Sequence, residues 1–280
     1  MIDLDRIQLE LAGGTFHALA AGRGRPVLYL HGFPDHPPTA HSFLAELARD
    51  HRVVAPWLRG YAPSPIVGPY NVPALVSDVS AMIEQLGGPV DLIGHDWGAV
   101  ITYALCSARP ALVRRAVAMA VPHPATMFRV LRSTPAQMRR SWYMGLFQLP
   151  GAGWLTRAHD FALIDRLWRA WSPGFTLPEA DRAELHACLA RSMPAPIEYY
   201  RAMVRPLRGF ARRTRGPTAT ITTPLLQLHG QRDGCIQPTP EELDRRRFSE
   251  RVHEVLPNLG HFLPQEAPHA LAARVAGWLA

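Results

Sequence analysis

The octapeptide LIGHDWGA, Leu92 to Ala99, constrains this chain more than any other stretch, because small residues stand where a strand must turn sharply into a helix. In Gly94-His95-Asp96-Trp97-Gly98 the central residue sits at the tip of a strained turn of the nucleophile-elbow kind, and side chains at the flanking positions would strike the neighbouring strand and helix. Gly94, Gly98 and Ala99 meet that demand. The preceding VDLI supplies the strand, and AVITYALCSARP supplies a helix that stops before Pro110. Such an elbow usually carries serine. An aspartate at its centre implies an electrophile other than an acyl group.

The rest of the chain reads as an α/β fold, a mostly parallel central sheet flanked by helices. Strands are expected at Pro26–Gly32, His51–Trp57, Pro89–His95, Arg114–Val121, Thr222–Gly230 and Arg251–Pro257. Helical spacing runs through TAHSFLAELARD and VPALVSDVSAMIEQLG, the second with Asn71 as N-cap and Gly87 as its stop. The alternation breaks after Val121. From Pro122 to Arg215 the chain is rich in Arg, Trp, Tyr, Met and Pro, and reads as several short helices, far longer than an ordinary connection. The expected organisation is therefore a core over residues 1–121, an inserted helical cap over 122–215, and the rest of the core over 216–280.

Composition removes several function classes. All 30 basic residues are arginine, and the formal charge is +7. The arginines are scattered rather than striped, so nucleic acid is not an expected partner, and the densest run, Arg205 to Arg215, reads as a solvated helix end. Without lysine the chain has no Schiff-base or P-loop chemistry. Cys106, Cys188 and Cys235 are widely spaced and read as buried or free thiols. An acidic amino terminus and the lack of any run of about 18 apolar residues point to a cytoplasmic chain with no membrane partner.

An ionised aspartate needs no base to attack saturated carbon, but the alkyl ester it forms must then be hydrolysed. That step calls for a histidine to take the proton of water and a carboxylate to fix its tautomer. Both occur in the expected chain order: Asp233 in LHGQRDGCI, after a strand ending at Leu228, and His261 in LPNLGHFLPQEAP, after a strand ending near Leu256. The HGFPD turn, His31 to Asp35, follows another strand, where the backbone N–H groups of Phe33 and Trp97 form a candidate oxyanion hole. A metal site at His31, His36 and His41 finds no support, with no paired cysteines and no H-E-x-x-H helix. No cofactor is expected.

Together, HGFPD, APWLRGYAPS, GHDWGA, LHGQRDGCI and GHFLPQEAP resemble the α/β-hydrolase fold family, in the epoxide hydrolase group whose nucleophile is aspartate. The chain departs from that pattern at Trp57 and Ala62, where the second motif carries an acidic residue and a glycine. Epoxide opening creates an alkoxide, so a proton or hydrogen bond must reach the oxygen as the bond breaks. Family members use two cap tyrosines. SWYMGLFQLPG resembles the first such segment and points to Tyr143; IEYYRAM resembles the second and points to Tyr200 rather than Tyr199.

What the resemblance implies is cofactor-free hydrolysis of a small epoxide by water to a vicinal diol. Phe33, Trp97, Phe128, Trp142, Met144, Leu146 and Phe147 are the expected substrate-binding residues, suited to an apolar or aromatic epoxide. Homodimerisation stays open. Two other readings stand beside this one: a haloalkane dehalogenase using the same aspartate with a cap Trp as halide donor (Trp142, Trp154, Trp168 or Trp171), and an inactive hydrolase-fold binding protein. A fluoroacetate dehalogenase would carry Arg where this chain has Trp97.

Overall fold

The computed structural model describes residues 2–208 and 219–280. Eight strands form one sheet: β1 Asp5–Leu11, β2 Gly14–Ala21, β3 Pro26–Leu30, β4 Arg52–Pro56, β5 Val90–His95, β6 Val113–Met119, β7 Leu225–Gly230 and β8 Arg251–Leu256. Their order is β1-β2-β4-β3-β5-β6-β7-β8. β1 pairs antiparallel with β2, and β2 with β4; every later pair is parallel. All six residues of β5 are buried, as a parallel strand covered by helices on both faces requires.

The six expected strands are all present, and the antiparallel hairpin β1–β2 is an addition that sequence reading left out. Its signal was there: apolar residues alternate through Ile7, Leu9 and Leu11, and again through Phe16, Ala18 and Ala20, on either side of Gly13-Gly14. Gly14 takes φ +113°, a conformation that suits glycine at the turn.

Helices α1 His41–Leu47, α2 Val72–Gln85 and α3 Trp97–Ala108 connect the strands. Asn71 caps α2, its side chain accepting from the Ala74 N–H at 3.0 Å, and Gly87 follows the helix at φ +97°. The closing helix Pro268–Leu279 packs on α1, while α2 packs on α3. No described helix is long and apolar enough to cross a membrane. The three cysteines are buried thiols without a disulfide.

Among the described residues, the chain between β6 and β7 forms six helices: α4 Pro124–Ser133, α5 Pro135–Arg140, α6 Trp142–Leu146, α7 Ala152–Trp171, α8 Glu179–Ser192 and α9 Ala195–Val204. α7 is two helical pieces joined at a kink, where His159, Asp160 and Phe161 take φ of 52°, 52° and 59°. Among the described residues this insertion contains no strand. The expected far boundary at Arg215, and most of the arginine-rich run before it, lie outside the described residues. Trp57, one departure from the family pattern, is buried beneath the Arg6 guanidinium, which lies 5.6 Å from its ring centre.

Candidate active site

The elbow forms where β5 meets α3. Asp96 takes φ 51°, ψ −114°, a conformation that costs a non-glycine residue roughly 1–3 kcal/mol. Packing around it holds that strain. A Cβ on Gly94 would overlap the Gly98 carbonyl, one on Gly98 would overlap the Leu30 carbonyl, and one on Gly32 would overlap the Asp96 side chain itself. The two strands and the helix therefore close on Asp96 only because these three residues lack side chains.

The turn after β3 supplies the first partner. The Phe33 N–H donates to Asp96 Oδ1 at 2.8 Å. His31 steadies that turn: its Nδ1–H donates to the Gly32 carbonyl at 2.9 Å, which leaves Nε2 to accept from the Leu58 N–H at 3.1 Å.

Asp233 and His261 come from the loops after β7 and β8, at the same carboxyl edge of the sheet as Asp96, where parallel sheets gather their chemistry. His261 Nδ1 lies 2.9 Å from Asp233 Oδ2, and Nε2 lies 3.6 Å from Asp96 Oδ2. Burial opposes a charge on His261, but the carboxylates of Asp233 and Asp96 outweigh it and push its pKa up to about 10. Burial likewise works against the Asp233 carboxylate, yet His261 and His229 hold it below the usual carboxylate range. Its other oxygen, Oδ1, accepts from the N–H groups of Cys235 and Ile236 at 2.7 and 2.9 Å. The side chains of Asp96, Asp233 and His261 are all buried.

Facing Asp96 from the inserted helices stand Tyr143 on α6 and Tyr200 on α9, their rings 5.6 Å apart and edge to face. Both are buried, and burial, with the Asp96 charge adding to it, pushes both phenols well above the ordinary tyrosine range. Each therefore stays a neutral O–H donor across the working pH range. Asp96, Trp97, Phe128, Tyr143, Met144 and Tyr200 line one cavity of about 70 Å³. A second apolar cavity of about 330 Å³ adjoins it, sharing Trp97, Val100, Phe128 and Met203, and runs out between the start of α2 and the end of α3.

Five of the seven residues expected to bind substrate surround this space. Trp97, Phe128 and Met144 line it, while Phe33 and Phe147 are buried behind, 5.4 and 5.2 Å from the Tyr200 ring centre. Trp142 and Leu146 do not line this cavity. Tyr143, Met144 and Phe147 occupy one side of the α6 turn, so Trp142 and Leu146 fall on the other; Trp142 is exposed, with Arg166 5.8 Å from its ring centre. Tyr199, the neighbour set aside, points instead to the Arg59 carbonyl.

Sequence reading also missed residues that hold the site. Ser172, just after α7, accepts from the N–H groups of both His261 and Phe262 at 3.0 Å and donates to Glu266 at 2.6 Å. Asp35 is fully buried and receives the Gln265 amide at 2.9 Å. A serine or glutamine in a polar loop carries no spacing signal, because its partner is remote in sequence.

The sequence profile of the Alpha/beta hydrolase family matches residues 27–274. Mouse Epoxide hydrolase 3 is 30% identical over 280 residues, covering 94% of this chain and 73% of that protein. Human Epoxide hydrolase 4 is 28% identical over 279 residues, covering 94% and 75%. Among solved structures, Bacillus megaterium epoxide hydrolase in complex with an inhibitor superposes with a TM-score of 0.85 at 25% identity, over 98% of this chain and 99% of that one. The F128A mutant of a Bacillus megaterium epoxide hydrolase, complexed with its product (R)-3-[1]naphthyloxy-propane-1,2-diol, matches with the same score, identity and coverage. The chain belongs to the alpha/beta hydrolase family, in its epoxide hydrolase group, and is a hydrolase.

Proposed function

We propose that this enzyme converts an apolar or aromatic epoxide to a vicinal diol through a covalent ester on Asp96. The observation that carries the reading is that the Asp96 carboxylate and the hydroxyl-bearing rings of Tyr143 and Tyr200 line the same apolar cavity, with the His261–Asp233 pair directly behind Asp96. A nucleophile on one wall and two neutral proton donors on the opposite wall are the two things ring opening needs.

In the first step Asp96 Oδ2 attacks a ring carbon and the ring C–O bond breaks. The departing oxygen takes a hydrogen bond, and then a proton, from the tyrosine pair. Water around the site would favour the charges of the ground state, so an apolar cavity strengthens both interactions. Oδ1 becomes the ester carbonyl oxygen, already held by the Phe33 N–H.

In the second step His261, its tautomer fixed by Asp233, takes a proton from water as the water adds to that carbonyl. The oxyanion that forms lies on Phe33 N–H, with the Trp97 N–H as the second donor. Esterification also neutralises Asp96, withdrawing one of the two charges that hold the proton on His261. The base form becomes more accessible at the step that needs it.

The larger adjoining cavity suits a bulky apolar substituent on the epoxide, in keeping with the naphthyl ether product seen in the F128A mutant of a Bacillus megaterium enzyme. The dehalogenase reading needs a cap indole N–H at the leaving group. Trp168 spends its N–H on the Pro34 carbonyl at 3.0 Å, and Trp142 and Trp154 are exposed, which leaves Trp171, its ring centre 4.9 Å from that of Tyr143 and 5.2 Å from that of His261, as the one candidate donor for that reading.

The test is a His261→Gln enzyme mixed separately with styrene oxide and a short haloalkane, quenched, and weighed as intact protein and as the Asp96 peptide. A gain of the whole epoxide mass on Asp96 supports the reading, since ring opening loses no atoms. A gain only with the haloalkane, short by the halide, makes the enzyme a dehalogenase. No adduct with either overturns the aspartyl-ester mechanism.

A further inference from the structure

Beside the Tyr143 hydroxyl lies a thiol that the mechanism above does not use. Cys235 Sγ is 3.3 Å from the Tyr143 hydroxyl, and both side chains are buried. We propose that Cys235 is a positioning residue for ring opening: its S–H donates to the Tyr143 oxygen and so turns the Tyr143 proton toward the cavity. The inference rests on the epoxide-opening role of Tyr143 proposed above.

The backbone that carries the sulfur is fixed at both its N–H and its carbonyl. The Cys235 N–H is fixed on Asp233 Oδ1. Its carbonyl accepts from the buried Gln137 amide on α5 at 2.9 Å, and the Gln137 oxygen in turn accepts from the Gln237 N–H at 2.9 Å. Arg140, one turn along the same helix, donates to the Asp233 carbonyl at 2.6 Å. The segment that carries Tyr143 is thus clamped to the loop that carries the triad acid, and Cys235 sits at the junction.

The direction of the hydrogen bond follows from proton supply. A phenol has one proton. If Tyr143 gave it to sulfur, none would face the epoxide oxygen. Burial and the nearby Asp233 and Asp96 carboxylates push the Cys235 pKa well up, so the group remains a thiol with a proton to give. As Asp96 bonds to the ring carbon, the C–O electron pair stays on oxygen and takes the Tyr143 proton, and the S–H steadies the phenolate left behind. When water adds to the ester, the proton that His261 removes restores the phenol, and epoxide plus water equals diol.

The test measures the rate of Asp96 alkylation by styrene oxide, using quenched intact mass in the His261→Gln enzyme, for Cys235, Cys235→Ser and Cys235→Ala. Removing one neutral hydrogen bond predicts a roughly fivefold to tenfold slower alkylation in the alanine variant, with serine, which keeps a donor, restoring the rate to within about twofold. In a Tyr143→Phe background the alanine substitution should have no further effect, because the two residues act through one bond. Decay of the ester in the His261-containing enzyme should be unchanged. Full-rate alkylation by Cys235→Ala, or the same slowing with Phe at 143, overturns the proposal while leaving the epoxide reading intact. If Tyr143→Phe alone alkylates at the full rate, or no adduct forms before any Cys235 change, the reading beneath it fails.

Discussion

The Ser172 hydroxyl lies 3.0 Å from the His261 backbone N–H, tying the end of α7 to the loop that carries the histidine. The same oxygen holds the Phe262 N–H and donates to Glu266, whose other oxygen accepts from the Gly260 N–H at 2.8 Å. The end of α7 and the loop after β8 therefore share one polar knot under the imidazole.

Ser172→Ala leaves the buried Phe262 amide without its partner and takes one donor from Glu266, while the His261 N–H keeps the Trp171 carbonyl at 3.1 Å. A buried group left unsatisfied costs about 1–3 kcal/mol, so the variant should lose an amount in that range to denaturant unfolding. A loss under ~0.5 kcal/mol would show that the knot is not holding the loop.

Gly32→Ala should impair catalysis more than stability. The added methyl overlaps Asp96 and must move it, and a displacement of about 1 Å at a reacting atom costs on the order of 100-fold in rate. The check is kcat on styrene oxide beside the melting temperature; unchanged kcat would mean the nucleophile tolerates the shift.

Tyr143→Phe with Tyr200→Phe should slow Asp96 alkylation by at least about 100-fold, the usual contribution of general acid catalysis. Ester decay should not change, since both phenols act at ring opening. Rapid-quench mass measurement separates the two steps, and wild-type alkylation in the double variant would remove the tyrosines from the mechanism.

Asp35 gives a stability signature in pH. Burial pushes its carboxyl up from 3.8 to about 7, against hydrogen bonds from Thr39, His36 and Gln265 that favour the charge. The folded state therefore holds this proton more tightly than the unfolded chain, and the Asp35 contribution to stability falls as pH rises from about 4 to about 7. Asp35→Asn should flatten that part of the curve, by a few kcal/mol across the window. Urea titrations at several pH values measure it, and identical slopes in the two proteins would assign the proton elsewhere.

His261 gives the opposite kind of test, in rate. Its pKa is raised to about 10 in the resting enzyme by two carboxylates. Ester hydrolysis needs the neutral ring, so decay of the alkyl-enzyme should rise with pH and level off below about 10, because esterified Asp96 no longer supports the charge. Single-turnover decay rates against pH locate the midpoint; a midpoint at or above that of the resting enzyme would contradict the assignment.

The sheet, the elbow and the candidate site residues Asp96, Asp233 and His261 were legible in the sequence because each is governed by local chemistry. Apolar runs of strand length, glycines flanking Asp96, and polar residues just past strand ends are set by backbone geometry within a few residues. The Asn71 cap is of the same kind. Tyr143 and Tyr200 were reached through resemblance to a family, and the structure brings them into one cavity with Asp96. The β1–β2 hairpin carried a period-two signal that was overlooked rather than absent.

By itself, then, the sequence determined an α/β sheet, an interruption after β6, and an aspartate where serine usually stands. Only the tertiary structure decided which way α6 turns, excluding Trp142 and Leu146 from the cavity. It also decided that Ser172, Gln137 and Cys235 meet residues about 90 to 100 positions away. The physical reason is that helix rotation and loop-to-loop hydrogen bonds depend on how separate elements pack, and no residue's neighbours in sequence specify that packing.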